Sequence, residues 1–216
     1  MKTDLLRPFD RIPYFTLKGF KQTTSMDNPH QVRVLLHRWG QAGHILPIKK
    51  GVYMTRRFYE GHRADPLFSA AVSAILMPHS YLSLEFILQQ NNLLTEVTYP
   101  ITSITKKNTR TIDNSLGTFW YRHIRADLYH GFSISEYFGI RIAQASVAKA
   151  LFDHLYLRPL PISHRTLKIN LAEELRLNMD ELSSNDREAF ILHVEQSGSR
   201  KMMDVLNNFR INVWHL

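Results

Sequence analysis

An amphipathic helix with a clear start and a clear stop is the feature that most constrains how this chain folds. Asn28 is a favourable N-cap, and Pro29 suits the first helical position, where a backbone N–H would have no partner. Gly43 favours the left-handed conformation that ends a helix. Between them, apolar residues recur at the i, i+3, i+4 and i+7 spacing of one helical face, namely Val32, Leu35, Leu36 and Trp39. The sequence therefore predicts a helix over residues 29–42 with one buried face.

A shorter helix is predicted before this one and a β-hairpin after it. Thr16 can cap a helix over residues 17–23, which a turn separates from the longer helix. Residues 44–48 and 52–55 have the composition of strands, and a tight turn of two lysines and a glycine joins them. Helix, turn, helix and hairpin with short connections make up the plan of a winged helix-turn-helix.

The rest of the chain mixes helices and strands. The polar stretch 59–66 is predicted to be a linker and the stretch 106–114 a loop. Helices are predicted over residues 67–77, 83–91, 144–157 and 186–194 and again after Ser199, and strands over 97–102, 117–124 and 137–142. The predicted fold class is α+β: a winged helix-turn-helix over residues 1–62, a mixed α/β domain over 63–160 and a helical C-terminal extension over 161–216.

Excess positive charge is confined to the first third of the chain. Residues 1–63 contain twelve lysines and arginines and four aspartates and glutamates, a net charge of +8, whereas residues 64–216 contain fifteen of each. A basic domain beside a neutral one indicates a polyanionic partner for the basic part. Because the predicted helix-turn-helix lies in the basic part, we predict that this partner is double-stranded DNA.

The second helix of a winged helix-turn-helix enters the major groove, so its outward face is predicted to read bases. Arg33 can pair with the O6 and N7 atoms of guanine, Gln31 or Asn28 can read adenine, and Val34 can contact a thymine methyl. The predicted base-reading residues are Asn28, His30, Gln31, Arg33, Val34 and His37.

A second set of residues is predicted to bind the DNA backbone. These are basic side chains of the first helix, of the end of the second helix, and of the hairpin and its flank, whose charges suit phosphates. They are Lys18, Lys21, Arg38, Lys49, Lys50, Arg56 and Arg57.

Residue spacing gives no support to catalysis or to a bound metal or cofactor. The chain has eleven histidines and no cysteine, but no His-Glu-x-x-His motif, no nucleophile elbow and no phosphate-binding glycine loop. We therefore predict no catalytic residue, no metal and no cofactor. The sequence lacks an apolar run long enough to span a bilayer and lacks a secretory signal, so the predicted location is the cytoplasm.

A lone histidine and a run of three aromatic residues are both explained by structure rather than by ligand binding. His154 is interpreted as an isolated surface or packing histidine. The run Phe119-Trp120-Tyr121 is interpreted as a half-buried strand rather than a base-stacking platform, because Phe119 and Tyr121 alternate with Trp120 across two faces.

Two alternatives to a DNA-binding regulator stay open. A nuclease with a winged-helix targeting domain needs carboxylates clustered around a divalent ion, and the spacing of Asp153, Glu173 and Glu174 does not single them out. A protein-interaction module would present a neutral rather than a positive surface around Arg33 and Lys49.

Several short motifs follow one another in a specific order. They are Tyr14-Phe15-Thr16, residues 36–43 and residues 48–53, followed by Asp65-Pro66, residues 81–85, Val97-Thr98, residues 119–124 and residues 145–153. In this order they resemble the AbiEi-type antitoxins, the abortive-infection antitoxins of type IV toxin–antitoxin systems, over roughly residues 12–160. The last motif departs from the Pro-Glu-Lys-Ala expected there, since Ser146-Val147-Ala148-Lys149-Ala150 keeps only Lys-Ala.

This resemblance implies a bacterial autorepressor. Such antitoxins bind inverted repeats in their own promoter through the winged helix. They oppose a nucleotidyltransferase-like toxin, not necessarily through a stable complex, and their C-terminal domain is the part linked to antitoxicity. Whether the chain reads a palindromic operator as a dimer or as neighbouring monomers stays open.

Overall fold

The computed structural model describes residues 3–95, 100–160 and 169–215. Within these residues the helices are α1 (Leu17–Thr24), α2 (Pro29–Gln41), α3 (Arg56–His62), α4 (Phe68–Leu76), α5 (Glu85–Gln90), α6 (Val147–Leu157), α7 (Leu171–Glu174), α8 (Ser184–Ser197) and α9 (Arg200–Asn212). The strands are β1 (Phe15–Thr16), β2 (Ile45–Lys49), β3 (Val52–Thr55), β4 (Ser80–Leu82), β5 (Ile101–Thr105), β6 (Arg110–Asn114), β7 (Gly117–His123), β8 (Phe132–Tyr137) and β9 (Ile140–Ala145). The mixture of helices with two separate sheets confirms the predicted α+β class.

The chain forms two compact units. The first consists of Met1–Pro78 with two short later segments, Asp113–Gly117 and Glu136–Arg141. The second consists of His79–Ile112, Thr118–Ser135 and Ile142–Leu216.

Both helices at the start of the first unit begin at their predicted caps. The Oγ1 atom of Thr16 accepts a hydrogen bond from the backbone N–H of Gly19 at 3.0 Å, and α1 follows. The Oδ1 atom of Asn28 accepts one from the N–H of His30 at 2.9 Å, and α2 follows. These side chains satisfy N–H groups that have no partner inside the helix.

The apolar face of α2 forms the centre of the first unit's core. Val32, Leu36 and Trp39 are fully buried. The Trp39 ring meets the ring of Phe20 on α1 edge-on, with centroids 5.7 Å apart and planes at 81°. Edge-to-face aromatic pairs stabilise beyond the area that they bury. This packing fixes which residues of α2 point away from the core.

A three-stranded antiparallel sheet completes this core. Its strand order is β1-β3-β2, with Phe15 opposite Tyr53 and Ile45 opposite Thr55. Gly51 closes the β2–β3 hairpin with a φ of +75°, which favours glycine because a Cβ atom would be strained there. The predicted hairpin is therefore confirmed.

Two parts of the first unit differ from the sequence-based expectation. The segment Thr3–Phe9, for which nothing was predicted, forms a 3₁₀-helix that buries Leu6 and Phe9 in the same core. The stretch 59–66, predicted as a linker, begins inside α3, so that prediction is wrong. The helix forms because the Oγ1 atom of Thr55 caps it, accepting from the N–H of Phe58 at 3.1 Å, and because Phe58 is buried.

The second unit is built on a six-stranded mixed sheet of order β6-β7-β5-β4-β9-β8. Strand β4 runs antiparallel to β5 and parallel to β9, while β5 runs parallel to β7. The strand predicted over 117–124 is confirmed as β7, in which Phe119 and Tyr121 are buried and Trp120 is exposed.

Several other strand predictions need correction. Residues 110–114, predicted as part of a loop, form the edge strand β6, whose polar side chains suit a solvated edge. The single strand predicted over 137–142 is instead a hairpin of β8 and β9 that turns at Phe138 and Gly139. Strand β4 was not predicted. The strand predicted over 97–102 lies partly outside the described residues, and β5 begins at Ile101.

The C-terminal part of the second unit is helical, as predicted for its described residues. Helix α6 starts at Val147, later than predicted, because residues 144–145 belong to β9. The predicted apolar face of the last helix is confirmed, since all four of its residues are buried, namely Met202, Val205, Leu206 and Phe209. Residues 161–168 of the predicted extension lie outside the described residues.

A polar network occupies the core of the second unit. The ammonium group of Lys149 and the carboxylate of Asp153, one turn apart on α6, form an ion pair at 2.5 Å, and both side chains are buried. The other Asp153 oxygen accepts hydrogen bonds from the hydroxyls of Tyr81 at 2.9 Å and Ser83 at 2.8 Å. Burial raises the pKa of the Asp153 carboxyl and lowers that of the Lys149 ammonium, so each charge depends on its partner.

We predict that Lys149→Met lowers the free energy of unfolding by about 3–5 kcal/mol, because it leaves a buried carboxylate without its counter-charge. Adding Asp153→Asn should recover most of this loss, since the asparagine oxygen can still accept from Tyr81 and Ser83 without a charge. Urea denaturation of both variants measures the difference. A double variant as unstable as Lys149→Met alone would contradict the assignment of the loss to the unpaired charge.

Candidate functional site

The outward face of α2 is a continuous exposed surface of polar and basic side chains. The structure exposes all the predicted residues of this helix, namely His30, Gln31, Arg33, Val34, His37 and Arg38. The buried residues of α2 alternate with them at helical spacing, so the exposed set follows from the way the helix packs.

The side chain of Asn28 caps α2, and this limits its predicted role in base reading. Its Oδ1 atom accepts from the N–H groups of both His30, at 2.9 Å, and Gln31, at 3.3 Å. Bidentate recognition of adenine needs the oxygen and the nitrogen of an amide together. The side chain of Gln31 is not used in this cap, so it is the better placed of the two amides to read adenine.

The two lysines of the hairpin have different environments. The ammonium group of Lys49 donates hydrogen bonds to the carbonyl oxygens of Ile75, at 2.5 Å, and Leu76, at 3.3 Å. These carbonyls end α4, where the helix dipole favours a cation. Lys50, at the tip of the turn, is exposed and makes no side-chain hydrogen bond or ion pair with the described residues. The ammonium group of Lys50 is therefore the one directed to solvent.

Arg56 and Arg57 lie on α3 rather than on the hairpin that they were predicted to close. Both are exposed at the first turn of this helix. Arg56 pairs with Glu60 at 3.0 Å, and Arg57 approaches Asp10 at 3.8 Å. The exposed Arg56–Glu60 pair contributes only about 0–1 kcal/mol. Asp10 is partly buried but the side chain of Arg57 is exposed, so both guanidinium groups are able to exchange partners.

The remaining cations of the predicted interface are not neutralised by neighbouring acids. Lys18 is exposed and Lys21 is partly buried on α1, while Arg33 and Arg38 are exposed on α2. Within the described ranges, none of these four forms an ion pair with a carboxylate. Their charge is thus available to an external anion.

The sequence did not predict a contact between two side chains of the second unit. His154, interpreted as isolated, lies 3.2 Å from a carboxylate oxygen of Glu85, which is 69 positions earlier in the chain. Since no local spacing connects α5 with α6, only the folded chain brings these residues together.

Neither metal ligands nor membrane spans are found among the described residues. No three histidine or acidic side chains of the described residues lie close enough together to hold a metal ion. The described helices include none that is long and apolar enough to cross a membrane.

Comparison with known proteins leaves the chain without an assigned family. No protein-family model matches it, and no curated protein matches it.

The capping role of Asn28 is testable apart from any ligand. We predict that Asn28→Ala lowers the free energy of unfolding by about 1 kcal/mol, whereas Asn28→Asp leaves it nearly unchanged because aspartate caps equally well. Urea denaturation checks both variants. Equal stability of Asn28→Ala and the unchanged protein would mean that the cap does not stabilise α2.

Proposed function

We propose that the chain is a sequence-specific DNA-binding transcriptional repressor that uses a winged helix-turn-helix. The observation that carries this proposal is the outward face of α2, where Gln31, Arg33 and Arg38 are exposed and the two arginines have no carboxylate partner among the described residues. A helix that presents such side chains in a basic unit suits the major groove of DNA.

The hairpin supports the same proposal. It follows α2 directly, with β2 beginning at Ile45, as the wing follows the recognition helix in this class of domain. In our proposal Lys50, at the tip of the hairpin, contacts phosphate, and Lys49 stabilises the end of α4 instead. Arg56, Arg57, Lys18 and Lys21 add positive charge along the flanks of the interface.

We further propose that the repressor is the autoregulating antitoxin of a type IV toxin–antitoxin system. This rests on the resemblance of the ordered motifs to AbiEi-type antitoxins. In this proposal the protein is cytoplasmic and not an enzyme. It binds inverted repeats in its own promoter and opposes a nucleotidyltransferase-like toxin.

A gel-shift titration on DNA from upstream of the chain's own gene, with an unrelated duplex as control, tests the proposal. Titration at two salt concentrations separates specific from electrostatic binding. Tight, salt-sensitive binding to the upstream fragment alone supports an autorepressor. Equal weak binding to both duplexes would favour a protein-binding or nuclease role for the same domain.

Two variants separate base reading from phosphate binding. We predict that Arg33→Ala weakens specific binding by about 1–3 kcal/mol and changes non-specific binding less, because a lost guanine contact matters only at the operator. Lys50→Ala should weaken both and reduce the slope of log K against log salt by about 1. Arg200→Ala, on α9, removes the same charge outside the interface and serves as the control. Identical effects of Arg33→Ala and Lys50→Ala on both duplexes would overturn the groove assignment.

A further inference from the structure

A cavity of about 550 Å³ opens within the second unit, and none of its described lining residues belongs to the proposed DNA interface. Its volume lies in the range of small-molecule sites in proteins. Its walls combine aromatic, basic and acidic side chains. Its lining includes Glu85, Thr102, Trp120, His154, Arg158 and Arg176.

One wall of the cavity holds a buried histidine with an unused nitrogen. His154 is 3% exposed, and its Nδ1 atom faces the Glu85 carboxylate at 3.2 Å. A carboxylate only accepts, so Nδ1 carries the proton that it donates. The other nitrogen, Nε2, is buried and has no hydrogen-bond partner in the described part of the chain. A buried polar atom in this state needs a partner, and a ligand hydroxyl or amine can supply it once the neighbouring side chains move aside, since Nε2 itself has almost no accessible surface.

Glu85 keeps its negative charge next to this histidine. Burial alone would raise the pKa of the Glu85 carboxyl, but the hydrogen bond from Nδ1 of His154, a backbone hydrogen bond and the positive charge of Arg122 help to hold the pKa below its usual value. The carboxylate therefore fixes the orientation of the imidazole ring in the cavity wall.

A second wall presents a flat aromatic surface. Trp120 on β7 is directly opposite Thr102 on β5, so both side chains lie on the same face of the sheet. Thr102 is fixed by two hydrogen bonds, donated to the carbonyl of Ser83 and accepted from the N–H of Phe86. Trp120 is 43% exposed, although a tryptophan is usually well buried. An indole ring exposed in a cavity suits a ligand that stacks on it.

Two arginines line the cavity together with two carboxylates, so the cavity offers guanidinium groups to an anion without a net positive charge. Arg158 ends α6, one turn beyond His154, and its backbone carbonyl accepts a hydrogen bond from Lys201 at 2.6 Å. Arg176 follows α7 on a segment tied to the chain near Leu94 by the Leu94–Leu177 bridge. Arginine is the side chain best suited to phosphate because its planar group donates two parallel hydrogen bonds.

We propose that this cavity binds a nucleoside monophosphate. The base stacks on Trp120, a ribose hydroxyl or base amine donates to Nε2 of His154, and Arg158 and Arg176 bind the phosphate. The acidic side chains of Glu85 and Glu174, which also line the cavity, suit a ligand rich in hydroxyl and amine donors. They disfavour a simple aromatic acid, which offers few donors.

Calorimetric titration of the full chain with AMP, GMP, CMP and UMP tests the proposal. At least one of them should bind with a dissociation constant in the micromolar to low millimolar range. Adenosine, which lacks the phosphate, and ribose 5-phosphate, which lacks the base, should each bind at least about tenfold more weakly. Salicylate tests the simple aromatic acid. Absence of binding by all four nucleotides, or salicylate binding as tightly as the best of them, would overturn the proposal.

Three variants locate the site. Trp120→Ala should weaken nucleotide binding by roughly 5- to 150-fold, the range of a lost base–aromatic stack. His154→Gln and Arg158→Ala should each weaken it by about tenfold or more. Arg200→Ala is the matched control and should bind like the unchanged chain. Far-UV circular dichroism and a cooperative thermal unfolding transition of the same samples verify that each variant is folded. Folded variants that bind the nucleotide normally would place it elsewhere and overturn the assignment.

Discussion

The burial of one face of α2 determines which side chains of this helix are exposed on the other face. Val32, Leu36 and Trp39 are fully buried in the first unit, and α2 has no freedom to rotate about its axis without exposing them. Exposing even one such side chain costs about 1.5–3 kcal/mol. The orientation of Arg33 and its exposed neighbours is therefore a consequence of the core. The edge-on contact of Trp39 with Phe20 extends this constraint to α1, so both helices are oriented by the same core.

Features that depend only on residues close together in the sequence could be predicted from it. Thr16 and Asn28 act as caps, and the period of the apolar residues identifies α2. The exposed face of that helix follows from the same period. Strands β6 and β8 were missed for a physical reason: both are edge strands with mostly exposed side chains, so no alternation of buried and exposed residues marks them.

Contacts between distant parts of the chain could not be predicted from spacing. Nothing in the hairpin sequence shows that Lys49 reaches the carbonyls at the end of α4, while Lys50 points to solvent. The two lysines are adjacent and chemically identical, yet only the fold distinguishes a helix-capping cation from an available one. The pairing of His154 with Glu85 is hidden in the same way, because an isolated histidine and one half of a dyad look alike in sequence.

The buried ion pair ties a helix of the second unit to its sheet. Lys149 on α6 is the counter-charge of Asp153, one turn further along the same helix. Asp153 in turn accepts from Tyr81 on β4 and from Ser83 just after it, so the pair connects the helix to the sheet. The start of α6 is held by a local contact, because the hydroxyl of Ser146 caps it by accepting from the N–H of Lys149. The ion pair is not local in this sense: loss of Lys149 leaves Asp153 charged and unpaired in the core, and no change at the helix start can compensate for that.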